Sequence, residues 1–506
     1  MFRPSLQEFE HLAVDAGLVP IYREIVADLD TPLTIFAKVA GGESHAFLFE
    51  SLEGGEKWGR YSFIGFDPIV TFASRGTRIT ITREGIVDEQ QGDPLAALQH
   101  LLKSFNACNS EMACDPELLP RFFGGAVGFL GYDMVRFMER LPESNPPLDQ
   151  FPESAFMVPR TVLIYDNLRQ LLTVVNLVQT SGAGPGLEAR DLPALYAKAQ
   201  AGIEEIIVRL QAPVPTEYLG GSAKKAATPH AFTSNMSEAA FEKMVETAKE
   251  YIQAGDVIQV VLSQRFHTKT ELAPFKLYRA LRHINPSPYL FYLKLGDLVQ
   301  IGSSPEILVR LEQEDIELRP IAGTRKRGKT EAEDAALEQE LLADPKERAE
   351  HLMLVDLGRN DVGRVAQYGS VEVRDLLVVE RYSHVMHLVS GVHGTLAPGK
   401  DQFDVLRACF PAGTVSGAPK IRAMEIIEEL EPERRGPYAG SVGYFGFSGN
   451  MDFCITIRTF VMQGDDLWVQ AGAGIVADSV PALEYQETIN KSMGLRRAVE
   501  LAEKEF

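Results

Sequence analysis

The sequence predicts an α+β fold with largely antiparallel sheets. Short strand-like runs and long helical patterns follow one another without a regular β–α alternation, which argues against a parallel sheet. "TRITITREGIV" (77–87) alternates in strand fashion, and "TVLIYDNLRQLLTVVNLV" (161–178) reads as two apolar strands about a polar turn. "DLPALYAKAQAGIEEIIVRL" (191–210) is helical in pattern. The stretch "QAPVPTEYLGGSAKKAATPHA" (211–231) is rich in Pro, Gly, Ala and Ser and marks a linker between an N-terminal half, 1–220, and a C-terminal half, 231–506. The second half opens with a helix that Ser237 caps and Gly255 closes, with Phe241, Met244, Val245, Ala248 and Ile252 along one stripe. "DVIQVVLSQRF" (256–266) and "YLFYLKL" (289–295) continue as strands.

At 506 residues the chain exceeds one ordinary core. Its formal net charge of −20 argues against nucleic acid or an anionic membrane as a partner. No apolar run reaches the length of a membrane span, and the opening "MFRPSLQEFEHLAVDAG" lacks the apolar segment of a secretory leader. Cys108, Cys114, Cys409 and Cys454 fall at no metal or redox spacing. The expectation is a cytoplasmic protein with reduced, packed thiols.

Two helical segments carry paired carboxylates. In "DPKERAEHLMLVDLGRND" (344–361), Glu347 and Glu350 share a face that Leu354 and Leu357 continue. In the C-terminal segment from Ser479, Glu484, Glu487 and Lys491 share a face that runs into Leu495 and Ala498. Either pair alone would be an ordinary solvated face. Both faces turn apolar, however, and buried carboxylates repel unless a cation sits among them. Oxygen-only ligands favour Mg²⁺ over Zn²⁺.

"FPAGTVSGAPKIRAMEIIEEL" (410–430) sets small residues before Pro419, then an amphipathic helix bearing Ile421, Met424, Ile427 and Leu430. "AGAGIVADS" (471–479) reads as a second Gly loop. Neither is a nucleotide fingerprint, and each is open to two readings, a turn or an anion site. His387 lies in an apolar run, where a packed core histidine is the bland alternative to a catalyst. Arg458, inside the apolar "CITIRTF" (454–460), calls for a carboxylate partner. "RPIAGTRKRG" (319–328) gathers Arg319, Arg325, Lys326 and Arg327 around the bare methyl of Ala322.

"GDVIQVVLSQR", "IGSSPE", "RPIAGTRKRG", "EHLMLVDLGRND", "FPAGTVSGAPKIRAMEII", "PYAGSVGYF", "DFCITIRT", "AGAGIVADS" and "EYQETINK" follow in an order that resembles the chorismate-utilising enzymes, and within them the anthranilate synthase large subunits. The resemblance runs from about residue 20 to the C-terminus. It implies that family's fold of two interleaved lobes, and the conversion of chorismate and ammonia to anthranilate and pyruvate. It implies Mg²⁺ on Glu350 and Glu487, with Glu347 and Glu484 close by through water. Glu306 would protonate the departing ring hydroxyl, His387 would assist proton movements, and Thr414 would line the pocket. Tyr438, Arg458, Gly472, Ala473, Gly474 and Lys491 would grip the enolpyruvyl carboxylate. The related aminodeoxychorismate synthases, the alternative within the class, carry a nucleophilic lysine where this chain has Ala322. Salicylate and isochorismate synthases carry a lysine where it has Gln259. The basic neighbours of Ala322 are expected to steer an anionic substrate and pair with acidic surroundings.

The chain has no G-x-C-x-G glutaminase motif, so a separate amidotransferase subunit is the implied ammonia source. "LFES" (48–51) and "NPSPYLFYL" (285–293) resemble the family's tryptophan-binding motifs. They imply a regulatory site at Glu50, Ser51, Pro288, Tyr289 and Leu290, with Arg60, Val442 and Tyr444 as further candidates. A catalytically inactive tryptophan-binding relative is the alternative from another class. The intact Glu306, Glu350, His387, Arg458 and Glu487 argue against it.

Overall fold

Alternation along the strands decides which face of each becomes core. In the strand His45–Glu50, Phe47 enters one apolar cluster while Ala46 and Leu48 enter another. The computed structural model describes residues 1–51, 59–108, 119–180, 191–219, 230–382 and 385–506. Cys114 and most of the expected linker, 220–229, lie outside them. Twenty-two strands form one hydrogen-bonded network that does not close on itself. Its ladders, from Leu18↔Gln179 at one end to Arg381↔Met386 at the other, are antiparallel.

The network is two sheets joined by two long strands, Tyr61–Arg75 and Ser154–Asp166. These pair along their whole length, with a register shift between Pro68 and Val70, opposite Pro159. Proline cannot donate to a ladder, so the pairing breaks there and the strands bend from one sheet to the other. One sheet carries Gln259–Lys269, Asp466–Ile475, Thr459–Gln463, Leu298–Ser304, Tyr289–Leu295 and His45–Glu50. The other carries Gly125–Leu130, Ser441–Gly446, Met451–Ile455, Ile307–Glu312, Asp315–Leu318 and Val385–Thr395. Ile321–Lys326 and Glu372–Arg381 flank the last of these. Strands from the two halves of the sequence interleave: His45–Glu50 pairs with Tyr289–Leu295, and Gly125–Leu130 with Ser441–Gly446.

The faces that meet between the sheets bury Phe47, Phe63, Phe129, Phe291, Phe445 and Phe453. The outer face of the first sheet is covered by helices Pro32–Val39, Leu192–Leu210, Pro274–Ile284 and Pro481–Glu505. Helix Glu238–Ala254 starts at Ser237, whose hydroxyl accepts from Ala240 N, and ends at Gly255 in the left-handed conformation, as its sequence predicts. Its stripe packs on Ala423, Ile426 and Ile427 of helix Lys420–Leu430. In that second helix Met424 and Ile427 are buried, but Ile421 is exposed, because the buried face runs through Ala423 and Ile426 instead. No described helix is long and apolar enough to cross a membrane.

Candidate active site

The chain crosses between the two sheets twice at one place. Pro305 and Glu306 join strand Leu298–Ser304 to strand Ile307–Glu312, and Thr456–Arg458 joins Met451–Ile455 back to Thr459–Gln463. The crossings are bonded side by side: Ile455 N donates to Glu306 O at 3.0 Å, and Ser303 N to Arg458 O at 3.1 Å. They present an acid and an arginine in the same cleft.

Arg458 is not in a strand, contrary to expectation. It sits in the crossing with φ +51°, a left-handed conformation that side-chain-bearing residues adopt rarely. It also makes no ion pair among the described residues. Its guanidinium donates only a long bond, 3.5 Å, to Lys491 O, and burial lowers its pKa while Glu306, Tyr438 and Glu487 raise it from a distance. The reason is spacing: the carboxylates are near enough to be felt and too far to bond.

Glu306 accepts from Thr414 Oγ1 at 2.7 Å. Burial pushes its pKa above the usual carboxylate range, against the lowering effects of Thr414, Lys491 and Arg458. Folding therefore favours the protonated acid, and this contribution to stability is present at low pH and lost as pH rises through the raised value. Thr414 stands in the short 3₁₀ turn Gly413–Val415.

"AGAG" is no loop. Gly472, Ala473 and Gly474 lie within strand Asp466–Ile475, opposite Ser263, Leu262 and Val261. The glycines are needed because other groups occupy the space of their side chains. A Cβ on Gly472 would lie 2.7 Å from Tyr438 Oη, and one on Gly474 would lie 2.7 Å from Gln259 Nε2. Tyr438 is buried, its pKa pushed up to about 12 chiefly by desolvation. Lys491 Nζ donates to Gly472 O at 3.0 Å.

Helices Pro345–Gly363 and Pro481–Glu505 bring all four glutamates to half-buried positions, yet not into one cluster. Among the described residues no group of three or more acidic, His or Cys side chains is gathered as a metal site. Each carboxylate instead takes a nearby donor. Glu347 accepts from Arg325 at 3.1 Å, Glu350 from the Gln259 amide at 3.1 Å, and Glu487 pairs with Lys491 at 2.6 Å. Glu484 has its pKa raised by burial and, less, by Glu487, while the hydrogen bond from Ser479 and then the charges of Lys491 and Lys346 lower it. The donor set is all oxygen, and Glu350 meets only a neutral amide. Such a set fits a hard divalent cation that would relieve the Glu484–Glu487 repulsion.

Ala322 pairs with Leu388 beside a register shift at Gly323, whose φ is +67°. A Cβ on Gly323 would lie 3.2 Å from Glu347 Oε2, so Ala322 stands next to the first carboxylate helix. His387 Nδ1 lies 3.0 Å from Gly323 O and 3.1 Å from Thr324 Oγ1. A carbonyl can only accept, so Nδ1 carries the proton and Nε2 is left as an acceptor. Burial lowers the pKa of His387, which keeps the ring neutral. Three of the four basic neighbours are paired: Arg319 with Glu380, Arg325 with Glu340, Asp344 and Glu347, and Arg327 with Asp334.

A separate pocket opens between the sheets, lined among others by Glu50, Ser51, Pro288, Tyr289, Leu290, Val442 and Tyr444. Arg60 is not on its wall; it is held by Asp166 at 2.9 Å and lies over Tyr61. Glu50 is fixed by Tyr278 and by two bonds from Arg282 at 3.1 and 3.2 Å. Arg310, bonded to Asp452 and to Tyr289 Oη, also lines this pocket and was not legible as such. Nor was Arg435, buried behind Tyr438. In "PERRGPY" the run of charge reads as a solvated helix end; only the Gly-Pro-Tyr that follows hints at burial.

The profile of the chorismate binding enzymes matches residues 45–497. The chain belongs to that family. It is 47% identical over 509 residues to the anthranilate synthase component 1 of Acetivibrio thermocellus, covering 99% of both chains. It is 49% identical over 500 residues to that of Aquifex aeolicus (strain VF5), covering 99% of this chain and 98% of the other. It superposes on the crystal structure of anthranilate synthase component I from Streptococcus pneumoniae TIGR4 with a TM-score of 0.73 at 36% identity, over 94% of this chain and 99% of that one.

Thr414→Val removes a hydrogen bond that lowers the Glu306 pKa, so the Glu306 carboxyl should titrate at higher pH. Infrared difference spectra of its C=O band, assigned with Glu306→Gln, measure this. A shift downward, or none, contradicts the electrostatic reading.

Proposed function

We propose that this chain is the large subunit of an anthranilate synthase, converting chorismate and ammonia to anthranilate and pyruvate. A separate amidotransferase subunit would supply the ammonia from glutamine, in the cytoplasm, at the first committed step towards tryptophan. The observation that carries the reading is Glu306, a carboxyl bonded by Thr414 whose pKa burial raises, in a chain where Ala322 offers only a methyl. The site can then protonate a leaving hydroxyl without supplying a nucleophile of its own. The full-length likeness to anthranilate synthase components supports the same reading.

Arg458 and Lys491 would bind the enolpyruvyl carboxylate. The Arg458 fork makes no ion pair among the described residues, and a bidentate anion suits it. Tyr438 and the bare backbone of Gly472 and Gly474 would form the wall against which that group lies. Glu306 would give its proton to the ring hydroxyl as the C–O bond breaks and ammonia adds to the ring, so that water leaves. The neutral His387 offers Nε2 as the acceptor for ring or ammonium protons. Loss of pyruvate then leaves the aromatic ring. Glu350 and Glu487 would hold Mg²⁺, with Glu347 and Glu484 through water, supplying Lewis acidity at the substrate's ring carboxylate.

Residues 231–506 would carry the chemistry, and residues 1–220 would contribute Glu50 and Ser51 to a regulatory pocket for tryptophan. Pro288, Tyr289, Leu290, Val442 and Tyr444 would surround the indole there, with Arg60 acting only through Asp166.

The purified chain with chorismate, Mg²⁺ and ammonium at alkaline pH should develop anthranilate fluorescence, and with glutamine in place of ammonium it should not. No fluorescence with ammonium refutes the activity; product from glutamine refutes the need for a second subunit. Glu350→Gln and Glu487→Gln should each raise the Mg²⁺ concentration for half-maximal rate by about 10–100-fold while circular dichroism stays native. An unchanged Mg²⁺ requirement would remove these residues from the metal site. Ser51→Phe fills the regulatory pocket, so the ratio of rates with and without millimolar tryptophan should rise to about one. A variant as sensitive as the parent would place tryptophan elsewhere.

A further inference from the structure

One fully buried cation stands behind the site without touching the cleft. Arg435 is 2% exposed. Its side chain is locked to Glu431, with Nε on one carboxylate oxygen at 2.9 Å and a terminal nitrogen on the other at 2.6 Å. A buried arginine is tolerated only when its donors are met, and here they are met by atoms of separate elements. One nitrogen donates to Val415 O at 2.6 Å, the residue after Thr414, and another to Val261 O at 2.7 Å. Val261 is the register partner of Gly474. Glu431 takes the N–H and hydroxyl of Ser263, both at 2.8 Å, and Ser263 is the partner of Gly472. The guanidinium lies 5.6 Å from the Tyr438 ring centre and 4.8 Å from that of Tyr132.

Three substrate-facing pieces therefore meet on one ion pair: the Thr414 turn that bonds Glu306, the strand edge opposite Gly472 and Gly474, and Tyr438. We propose that Arg435, locked to Glu431, is a positioning residue that sets these three pieces relative to one another for the reaction. This rests on the activity proposed above. The neighbouring Arg434 shows the contrast. It reaches Asn145 O and Glu153, away from the cleft, as an ordinary tie between loops. Lysine cannot replace Arg435 in this role. A single ammonium reaches one or two acceptors, whereas the planar fork holds a carboxylate and two carbonyls in fixed directions. The resulting looseness is expected at Val415, and with it in the bond from Thr414 to Glu306.

Arg435→Lys keeps the charge and is expected to fold with a native circular dichroism spectrum. With ammonium as co-substrate, its kcat should fall about a hundredfold while KM for chorismate changes by less than about threefold, the signature of misplaced catalytic groups. Amide hydrogen exchange in residues 412–418 should quicken while that of helix Glu238–Ala254 stays as in the parent. A small cavity borders Arg435, lined also by Arg265, Tyr438 and Trp468, and truncation to alanine would enlarge it by the volume of a guanidinium. Millimolar guanidinium should therefore restore about tenfold of the activity lost in Arg435→Ala. Glu431→Gln should repeat the kcat loss. A kcat within about twofold of the parent, or unchanged exchange at 412–418, overturns the proposal. So does unfolding of both Arg435→Lys and Glu431→Gln, which would make the pair a folding element. Should the parent chain make no anthranilate, the activity reading falls, and the exchange measurement alone then decides for or against Arg435 as the element that fixes the Thr414 turn.

Discussion

The structure depends on one constraint: two chain crossings between the sheets are hydrogen-bonded to each other. The bonds from Ile455 N to Glu306 O and from Ser303 N to Arg458 O hold an acid and an arginine side by side. Neither crossing could carry such a group alone, because a left-handed Arg458 and a half-buried Glu306 are each unfavourable unless their surroundings leave no alternative. The surroundings here are the ladders on either side. Those ladders are long, antiparallel and packed against a phenylalanine-rich interior, so the backbone at the crossings is over-determined.

Charge around the cleft is handled in two ways. Where it need not act, it is neutralised by direct pairing, as with Arg325 among three carboxylates and Arg435 on Glu431. Where a substrate anion would bind, pairing is withheld, and Arg458 feels Glu306 and Glu487 only across space. The glutamates on the two long helices stand between these cases. Glu350 holds a neutral amide and Glu487 a lysine shared with Gly472 O, partners that a cation could displace.

Much of this was legible in the sequence where a local rule applies. Ser237 and Gly255 fix a helix by capping chemistry, and the alternation in "TRITITREGIV" marks the strand Arg78–Arg83, though not the turn at Glu84 and Gly85 that starts a second strand at Ile86. The shared face of Glu484, Glu487 and Lys491 follows from helical spacing. What failed was set by partners distant in sequence. Glycines suggest a loop until Tyr438 and Gln259 are seen to fill the space beside Gly472 and Gly474. Arg458 reads as a strand residue because nothing local announces that the strand ends at Ile455. The convergence of four carboxylates was inferred from two helices treated separately, and Arg325 and Gln259, from other elements, claim two of them. Arg435 was invisible because Val415, Val261 and Tyr132, three of its partners, come from segments distant in sequence.

The bend at Pro68 and Pro159 has a mechanical consequence. The two long strands join the sheets at one place, and the chain crossings at Glu306 and Arg458 join them again at another. The pocket bounded by Ser51, Tyr289 and Tyr444 sits between the sheets. A molecule held there presses on Tyr289, whose register partner Ser304 stands two residues before Glu306. Pocket and crossing are therefore neighbours across a single ladder, so the distance a signal must travel between them is one strand spacing and not the width of the molecule.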